Sequence, residues 1–295
     1  MKQILHAEEM RTWADEQRSR HKTIGFVPTM GALHAGHLSL ADAAVGENDL
    51  GVASIFVNPT QFAPHEDFNT YPRTLQSDLE KLEAAGIAVV YTPTAAEMYP
   101  EHYSTYVEVE SVSQGLCGGS RPHFFRGVAT VVTKLFNAVK PHRAYFGQKD
   151  AQQCAVIKRM VRDLDMGIEI VEMPIVREPD GLAMSSRNAY LSPEDRKNAL
   201  CLSRVLFDAE KKLHGGERDG EALIEGVRAG MRNVNIDYVA LVDAETMQPV
   251  REPIRPVVLA VAALLPTARL IDNIKFDPNA AVENGDTSLE NEPEQ

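Results

Sequence analysis

Two histidines stand three residues apart in the segment His34-Ala35-Gly36-His37, which follows a predicted strand and opens a predicted helix. Side chains at that spacing lie about 60° apart around a helix axis, so both imidazoles can reach one ligand. The start of a helix offers unpaired N–H groups and the positive end of its dipole, which favour anions. Gly31 and Gly36 lack the Cβ atoms that would keep a phosphate away from the backbone. The segment therefore predicts a nucleotide phosphate site, with imidazoles donating to charge that develops at phosphorus.

A pair of structural or metal-binding histidines is the alternative explanation of the same spacing. The HExxH pattern of zinc enzymes is absent, and no clear third ligand lies nearby in the sequence. The chain also lacks the GxGxxG, Walker A and protein-kinase signatures. Their absence argues against the usual dinucleotide-binding and P-loop sites.

Two further segments carry groups that suit phosphate. Gly147-Gln148-Lys149-Asp150 joins a predicted strand to a predicted helix, so Lys149 can place a positive charge on a triphosphate and Asp150 is expected to cap the helix. Met184-Ser185-Ser186-Arg187 supplies two hydroxyls and a guanidinium, which suit phosphate oxygens. Taken alone, each segment is equally compatible with an exposed turn or a capped, solvated loop.

Amide side chains follow a second predicted strand. Asn58 and Gln61 can hydrogen-bond a hydroxylated substrate while Phe62 packs on it; the alternative is an ordinary loop. Gln152 and Gln153 begin a helix beside the lysine segment, and one of them is expected to face the same pocket.

Three charged side chains have less specific settings. Asp78 lies on a predicted helix and can hold Mg²⁺ through water, or it is a surface carboxylate. Arg121 and Arg126 flank a phenylalanine pair, and either arginine can approach an anionic ligand or anchor a loop.

Predicted strands and helices, which would position these groups, alternate along the first part of the chain. The segment GVASIFV at 51–57 has no polar alternation, which is typical of a strand covered on both faces. The alternation predicts a parallel sheet with helices on both faces and ligands beyond the carboxyl ends of the strands. Two helices and three strands at the other end predict a small α+β domain. The predicted strands are 24–29, 51–57, 87–91, 144–146, 168–171, 236–242, 257–262 and 269–274, and the predicted helices 37–45, 74–85, 127–139, 151–164, 193–213 and 221–231.

Composition narrows the class of protein. The 295 residues suggest two domains and carry a formal net charge of −12, which argues against a non-specific nucleic-acid binder. Cys117, Cys154 and Cys201 are far apart and read as free thiols. With no apolar run near the ~20 residues of a membrane helix, we expect a cytoplasmic protein without membrane partners. The acidic segment 278–295 is expected to be disordered.

Five ordered blocks together resemble the pantoate–β-alanine ligase (pantothenate synthetase) family of the HIGH-motif nucleotidyltransferase superfamily. The blocks are PTMGALHAGHLSL, FVNPTQFAPHEDFNTYPRT, RPHFFRGVATVV, YFGQKDAQQ and REPDGLAMSSRNAYLS, and the resemblance runs from about residue 4 to residue 275. It implies a Rossmann-like domain at 1–180, a small C-terminal lid domain at 181–277 and a homodimer. Departures are an Arg121-Pro122-His123-Phe124 segment without the usual glycine, and one acid, Asp78, where some relatives have several.

The resemblance also implies a reaction and its site. The carboxylate of (R)-pantoate attacks the α-phosphate of ATP, with Mg²⁺ required, and the β-alanine amine then attacks the pantoyl adenylate to give pantothenate and AMP. His37 is the proton donor by family analogy, although stabilisation of the transferring phosphorus by both His34 and His37 is physically preferable. Gln61 and Gln153 would orient pantoate. The implied ATP-binding residues are Met30, Gly31, Ala32, Leu33, His34, Ala35, Gly36, His37, Gly147, Gln148, Lys149, Asp150, Val176 (through its backbone), Met184, Ser185, Ser186 and Arg187.

Overall fold

The computed structural model of the chain describes residues 1–64 and 66–280. The strands there are β1 Lys2–Ile4, β2 Ile24–Thr29, β3 Leu50–Ile55, β4 Val89–Tyr91, β5 Arg143–Gly147, β6 Glu169–Met173, β7 Asn235–Asp243, β8 Val257–Leu264 and β9 Arg269–Phe276. The α-helices are α1 Ala7–Ser19, α2 Ala35–Gly46, α3 Leu75–Ala84, α4 Ala95–Met98, α5 Leu116–Ser120, α6 Phe124–Val139, α7 Ala151–Asp163, α8 Pro193–Ala199, α9 Cys201–His214 and α10 Gly220–Gly230. No helix of these ranges is long and apolar enough to cross a membrane.

The first six strands form one sheet in the order β1-β4-β3-β2-β5-β6, and every neighbouring pair is parallel. Successive side chains alternate between two hydrophobic clusters. Phe26 and Val52 pack with α1, α6 and α7, whereas the next residues, Val27 and Ala53, pack with α2 and α3. The prediction of a parallel sheet with helices on both faces is therefore confirmed.

The C-terminal part forms an antiparallel sheet, β7-β8-β9, next to α9 and α10. One face of β8, with Val258 and Ala260, joins the core of the parallel sheet, and the other, with Leu259 and Val261, packs with α9 and α10. The small sheet thus rests against the N-terminal unit, beside the carboxyl ends of β2 and β5. The predicted domain boundary at 180/181 stays a prediction.

Several parts of the chain differ from the sequence expectation, and the short helices α4 and α5 are among the elements that it missed. The predicted helix 193–213 is two helices, α8 and α9, joined at Leu200, whose backbone stays helical (φ −62°, ψ −16°). Strand β1 and helix α1 lay outside the predicted elements. β1 has only three residues, and its partner Val89 is far along the chain, so no local pattern marks it. The expected disorder of 278–295 concerns mostly residues 281–295, which lie outside the described residues.

Candidate active site

A cavity of about 250 Å³ lies at the carboxyl ends of β2 and β5, where the segment 174–187 and the start of β9 close over the parallel sheet. It brings together most residues that the sequence analysis singled out. Those that line it are Met30, His34, Gly36, His37, Gln61, Phe62, Arg121, Gly147, Lys149, Asp150, Gln153, Val176, Met184, Ser185, Ser186 and Arg187. The cavity lining does not include Gly31, Ala32, Leu33, Ala35, Gln148 or Asp78.

The loop after β2 is held from behind by a buried carboxylate. Asp78 of α3 is fully buried and accepts hydrogen bonds from the main-chain N–H groups of Ala32 and Leu33, both at 2.8 Å. The hydroxyl of Thr74 donates to it at 3.1 Å, and Lys81 donates to the Leu33 carbonyl at 2.8 Å. These bonds turn 31–33 away from the cavity, which explains why those residues do not line it.

The alternative hypothesis, that Asp78 is a surface carboxylate, is wrong because the side chain is fully buried. Its two oxygens already accept three hydrogen bonds, so the geometry favours an anchoring role and disfavours the predicted role as a magnesium ligand. No cluster of three or more His, Cys, Asp or Glu side chains able to hold a metal occurs among the described residues.

Both glycines of the histidine loop are needed for contacts within the protein itself. A Cβ on Gly31, whose φ is +84°, would lie 3.1 Å from Asp78 and from Ile55. A Cβ on Gly36 would lie 3.0 Å from the His34 ring. The sequence analysis explained these glycines by the approach of a phosphate to the backbone. In the structure, the Asp78 carboxylate and the His34 imidazole occupy the space that a Cβ atom would need.

The two imidazoles lie 4.1 Å apart between ring centroids. Nδ1 of His34 accepts the N–H of Gly36 at 3.2 Å, and Nδ1 of His37 accepts the N–H of His34 at 3.4 Å. A neutral imidazole whose Nδ1 accepts a hydrogen bond carries its proton on Nε2. Each ring therefore has its Nε2–H left as a donor on a residue that lines the cavity.

Both histidines are neutral at pH 7. Burial, followed by the charge of Lys149, lowers the pKa of His34 from 6.5 to about 4. Burial, followed by His34, lowers the pKa of His37 from 6.5 to about 3. The arrangement can stabilise negative charge by hydrogen bonding, but a neutral imidazole is a poor general acid at this pH.

The lysine segment is fixed by a residue that the sequence analysis did not single out. The side chain of Asn273, on β9, donates to the carbonyls of Gln148 and Lys149, both at 3.0 Å, and accepts from Gln148 Nε2 at 3.2 Å. This bonding turns the Gln148 side chain away from the cavity and presents Lys149 to it. Asp150 is the N-cap residue of α7, as predicted, but its side chain makes no capping hydrogen bond. Its carboxylate lies 3.6 Å from Lys149 Nζ instead.

The serine–arginine segment is held across the cavity by Asp67 and Tyr71. Arg187 donates from Nε and Nη2 to the two oxygens of Asp67, both at 3.0 Å. The hydroxyls of Ser186 and Tyr71 lie 3.1 Å apart, and Ser185 accepts the N–H of Arg187 at 3.3 Å. A cation and a hydroxyl thus face the cavity, but Arg187 already has a counter-ion that no local pattern predicted.

Amides and an apolar wall form the other end of the cavity. The Asn58 side chain donates to Gln61 Oε1 at 2.8 Å, which leaves the Gln61 N–H groups to face the cavity. The Nε2 of Gln152 donates to three carbonyls, those of residues 112, 114 and 115, so Gln153 is the member of the pair that lines the cavity. The wall opposite is formed by Phe124, Val128, Val131, Val132 and Leu135. This end suits a hydroxylated molecule with a branched apolar part.

Comparison with known proteins places this site in a family. Residues 2–275 match the family model described as pantoate-beta-alanine ligase. The pantothenate synthetase of Thermotoga petrophila is 57% identical over 276 residues, which cover 92% of this chain and 99% of the relative. That of Acetivibrio thermocellus is 53% identical over 278 residues, covering 93% and 99%.

Solved structures agree. Pantothenate synthetase from Thermus thermophilus superposes with a TM-score of 0.87 at 44% identity, covering 93% of this chain and 99% of that one. Pantoate-beta-alanine ligase from Francisella tularensis, complexed with beta-gamma ATP and beta-alanine, gives a TM-score of 0.75 at 33% identity, covering 93% and 97%. The chain belongs to the pantoate–β-alanine ligase family.

Proposed function

We propose that this enzyme condenses (R)-pantoate with β-alanine at the expense of ATP, through a pantoyl adenylate. The observation that carries the proposal is the convergence of two neutral imidazoles, Lys149 and the Ser186–Arg187 pair on one cavity that ends in Gln61 and an apolar wall. Cations and donors suit a triphosphate, and the amide and apolar end suits the hydroxyls and methyl groups of pantoate.

In the first step, a pantoate carboxylate oxygen bonds to the α-phosphorus of ATP, and the bond from that phosphorus to the bridging oxygen breaks to release pyrophosphate. The carboxylate is already ionised and pyrophosphate leaves as an anion, so the step requires no proton from histidine. The Nε2–H groups of His34 and His37 donate to the non-bridging oxygens as charge develops there. We therefore assign both residues to charge stabilisation rather than proton transfer.

In the second step, the β-alanine amine bonds to the pantoyl carbonyl carbon, the carbon–oxygen bond to AMP breaks, and the nitrogen loses a proton. Lys149 and Arg187, with Ser185 and Ser186, hold the phosphates, and Gln61 and Gln153 orient pantoate. Main-chain groups of Val176 lie beside the adenine, although its carbonyl already accepts the Met184 N–H at 3.0 Å.

In this proposal the magnesium ion would be held by ATP together with Asp150. Asp150 is the one carboxylate among the described residues that line the cavity. A single carboxylate fits a magnesium ion that keeps several waters and is bound chiefly by the triphosphate.

A homodimer is supported by an unpaired stretch of backbone. Residues 104–109 form no helix or strand, and apart from the Val107 N–H, which donates to Thr130 Oγ1 at 2.9 Å, their main-chain groups make no hydrogen bond within the described part of the chain. Such groups are a template for pairing with a second chain. Thr105→Pro, which removes one donor, should shift the protein toward monomer in sedimentation analysis, and an unchanged mass would contradict this interface.

Pyrophosphate–ATP exchange tests the reaction. Exchange that depends on pantoate, proceeds without β-alanine and fails with other acids supports the adenylate. The absence of exchange, with AMP formed only when all substrates are present, would indicate a concerted route. Retention of the nucleotide on the final product would indicate a nucleotidyltransferase, the other activity that the superfamily offers.

A further inference from the structure

Four cationic side chains of the described residues line the cavity: Lys149, Arg187, Arg121 and Arg269. The first two lie on the segments that the proposed function assigns to the triphosphate. The histidines that line the cavity are neutral at pH 7 and contribute no full charge. β-Alanine brings its own carboxylate into the cavity, and a desolvated carboxylate requires a charged or strongly donating partner.

Arg269 has little capacity left for such a carboxylate. Its Nε and Nη2 donate to Asp237 at 3.0 and 2.6 Å, and Nη1 and Nη2 both lie 3.5 Å from the sulfur of Cys117. Every nitrogen of this guanidinium therefore already has a partner within the protein.

Arg121 is different because one edge of its guanidinium is unoccupied. Its Nε and Nη2 donate to the two carboxylate oxygens of Glu66, both at 2.6 Å, and Nη2 also donates to the carbonyl of Gln61 at 3.0 Å. The guanidinium carbon lies 3.8 Å from the Phe124 ring centroid. Nη1 has no hydrogen-bond partner among the described residues. The side chain is only 17% exposed, so it is held rigidly with a free donor edge in a desolvated setting.

The position of Arg121 suits the amine substrate. It is bonded to the backbone of Gln61, whose side chain faces the pantoate end of the cavity. The amine of β-alanine must reach the pantoyl carbonyl, and only two methylene groups separate that amine from its carboxylate. Arg121 contacts Gln61 directly. Its guanidinium is therefore within reach of the β-alanine carboxylate when the β-alanine amine is placed to attack the pantoyl carbonyl.

Glu66 makes Arg121 selective for a carboxylate over a triphosphate. It neutralises Arg121 through the Nε edge, so the pair has no net charge with which to compete for a triphosphate. The remaining N–H groups still offer the planar donors that match a carboxylate. Asp67, the next residue, pairs with Arg187 in the same way, so adjacent acids orient one arginine toward each end of the cavity.

We propose that Arg121 binds the carboxylate of β-alanine through its free guanidinium edge and thereby selects this amine, with Glu66 as the positioning residue. The inference rests on the proposed function and adds to it the group that recognises the second substrate.

The test compares β-alanine with n-propylamine, which has the same chain length but no carboxylate. Arg121→Met should lower kcat/KM for β-alanine about 100-fold, which lies within the usual range for the loss of a largely buried charged partner. The kcat/KM for n-propylamine should stay within about twofold of the parent enzyme. Pantoate-dependent pyrophosphate–ATP exchange, which needs no amine, should also be unchanged.

Arg126→Met is the matched control. Arg126 lies on α6 and stacks on Tyr106, 4.0 Å from the ring centroid, but does not line the cavity. Its replacement should leave the preference for β-alanine over n-propylamine unchanged. Arg121→Lys, which keeps the charge and loses the planar fork, should lose part of that preference and serves as the test if Arg121→Met does not fold.

Equal loss with both amines, or loss of exchange in parallel with ligation, would overturn the inference, since either result indicates a purely structural role for Arg121. An unchanged KM for β-alanine in both Arg121 variants would overturn it as well. Absence of pantoate-dependent exchange in the parent enzyme would instead refute the proposed function, so the two failures are distinguishable.

Discussion

The two sides of the cavity are held by different forces. On one side, the histidine loop is tied to Asp78 by main-chain hydrogen bonds, and that carboxylate is fully buried. On the other, Arg187 is held by Asp67 through a side-chain ion pair, in which the two side chains are 27% and 25% exposed. The first side is therefore built into the parallel sheet and α3, whereas the second is joined to it by groups that water and salt can reach.

This difference matches the tasks of the two sides. Donors that stabilise a transferring phosphorus act best when their positions are fixed before the reaction. A loop that must admit ATP gains from contacts that can be replaced at low free-energy cost, and a partly exposed ion pair is such a contact. Arg187 can replace its partner Asp67 by a phosphate. Asp78 is bonded to main-chain N–H groups of the histidine loop, which no ligand replaces.

The largest expected effect is on catalysis by the histidine loop, the side of the cavity that Asp78 anchors. His37→Ala should lower kcat about 100- to 1,000-fold with little change in the KM for pantoate, because its donor acts mainly in the transition state. His37→Gln, whose amide N–H can replace Nε2–H, should retain more activity than His37→Asn. Steady-state kinetics measure all three, with the exposed His102→Ala as control. An unchanged kcat in His37→Ala would refute the role assigned to this residue.

The next effect is on the anchor of the histidine loop. Asp78→Ala leaves two main-chain N–H groups without their acceptor and should lower the free energy of unfolding by about 3 kcal/mol. Urea denaturation measures the change. Asp42→Ala, at an exposed position, should stay within about 0.5 kcal/mol of the parent protein. A cost below about 1 kcal/mol for Asp78→Ala would show that the loop does not depend on this carboxylate.

A separate prediction concerns the pH dependence of stability. Because burial lowers the pKa of His34 and His37 from 6.5 to about 4 and about 3, the unfolded chain binds protons at these rings below pH 6.5 while the native chain does not. The free energy of unfolding should therefore fall as pH falls from 6.5 toward 4. A His34→Gln/His37→Gln double variant should show a shallower decline. Denaturation at several pH values measures it, and parallel curves would contradict the neutral pair.

The smallest effect is expected at the exchangeable side. Asp67→Asn should lower the free energy of unfolding by less than about 1 kcal/mol, because the ion pair with Arg187 is partly exposed. The loss should shrink further in high salt. Urea denaturation at low and high ionic strength measures both. A loss as large as that of Asp78→Ala would remove the contrast between the two sides.

Local patterns were enough for most elements of the fold and for the side chains that meet at the cavity. Strand β3 is apolar and β-branched, and the histidines and Lys149 each follow a strand or open a helix, so their type and place could be predicted. Arg187 was singled out by its chemical type alone. The partners that hold them could not be predicted. Asn273 fixes the lysine segment and Asp67 holds Arg187, and nothing near either residue in the sequence indicates that contact.

The sequence by itself determined the parallel sheet, the identity of the groups at its carboxyl edge and the family. Periodicity, β-branching and ordered motifs are local properties, so they can be recognised in the sequence alone. Only the tertiary structure decided that Asp78 is an anchor, that both imidazoles are neutral with Nε2–H as donor, and that Arg121 lines the cavity while Arg126 does not. Burial and hydrogen-bond partners set protonation and orientation, and both depend on residues that the fold brings together from distant parts of the chain.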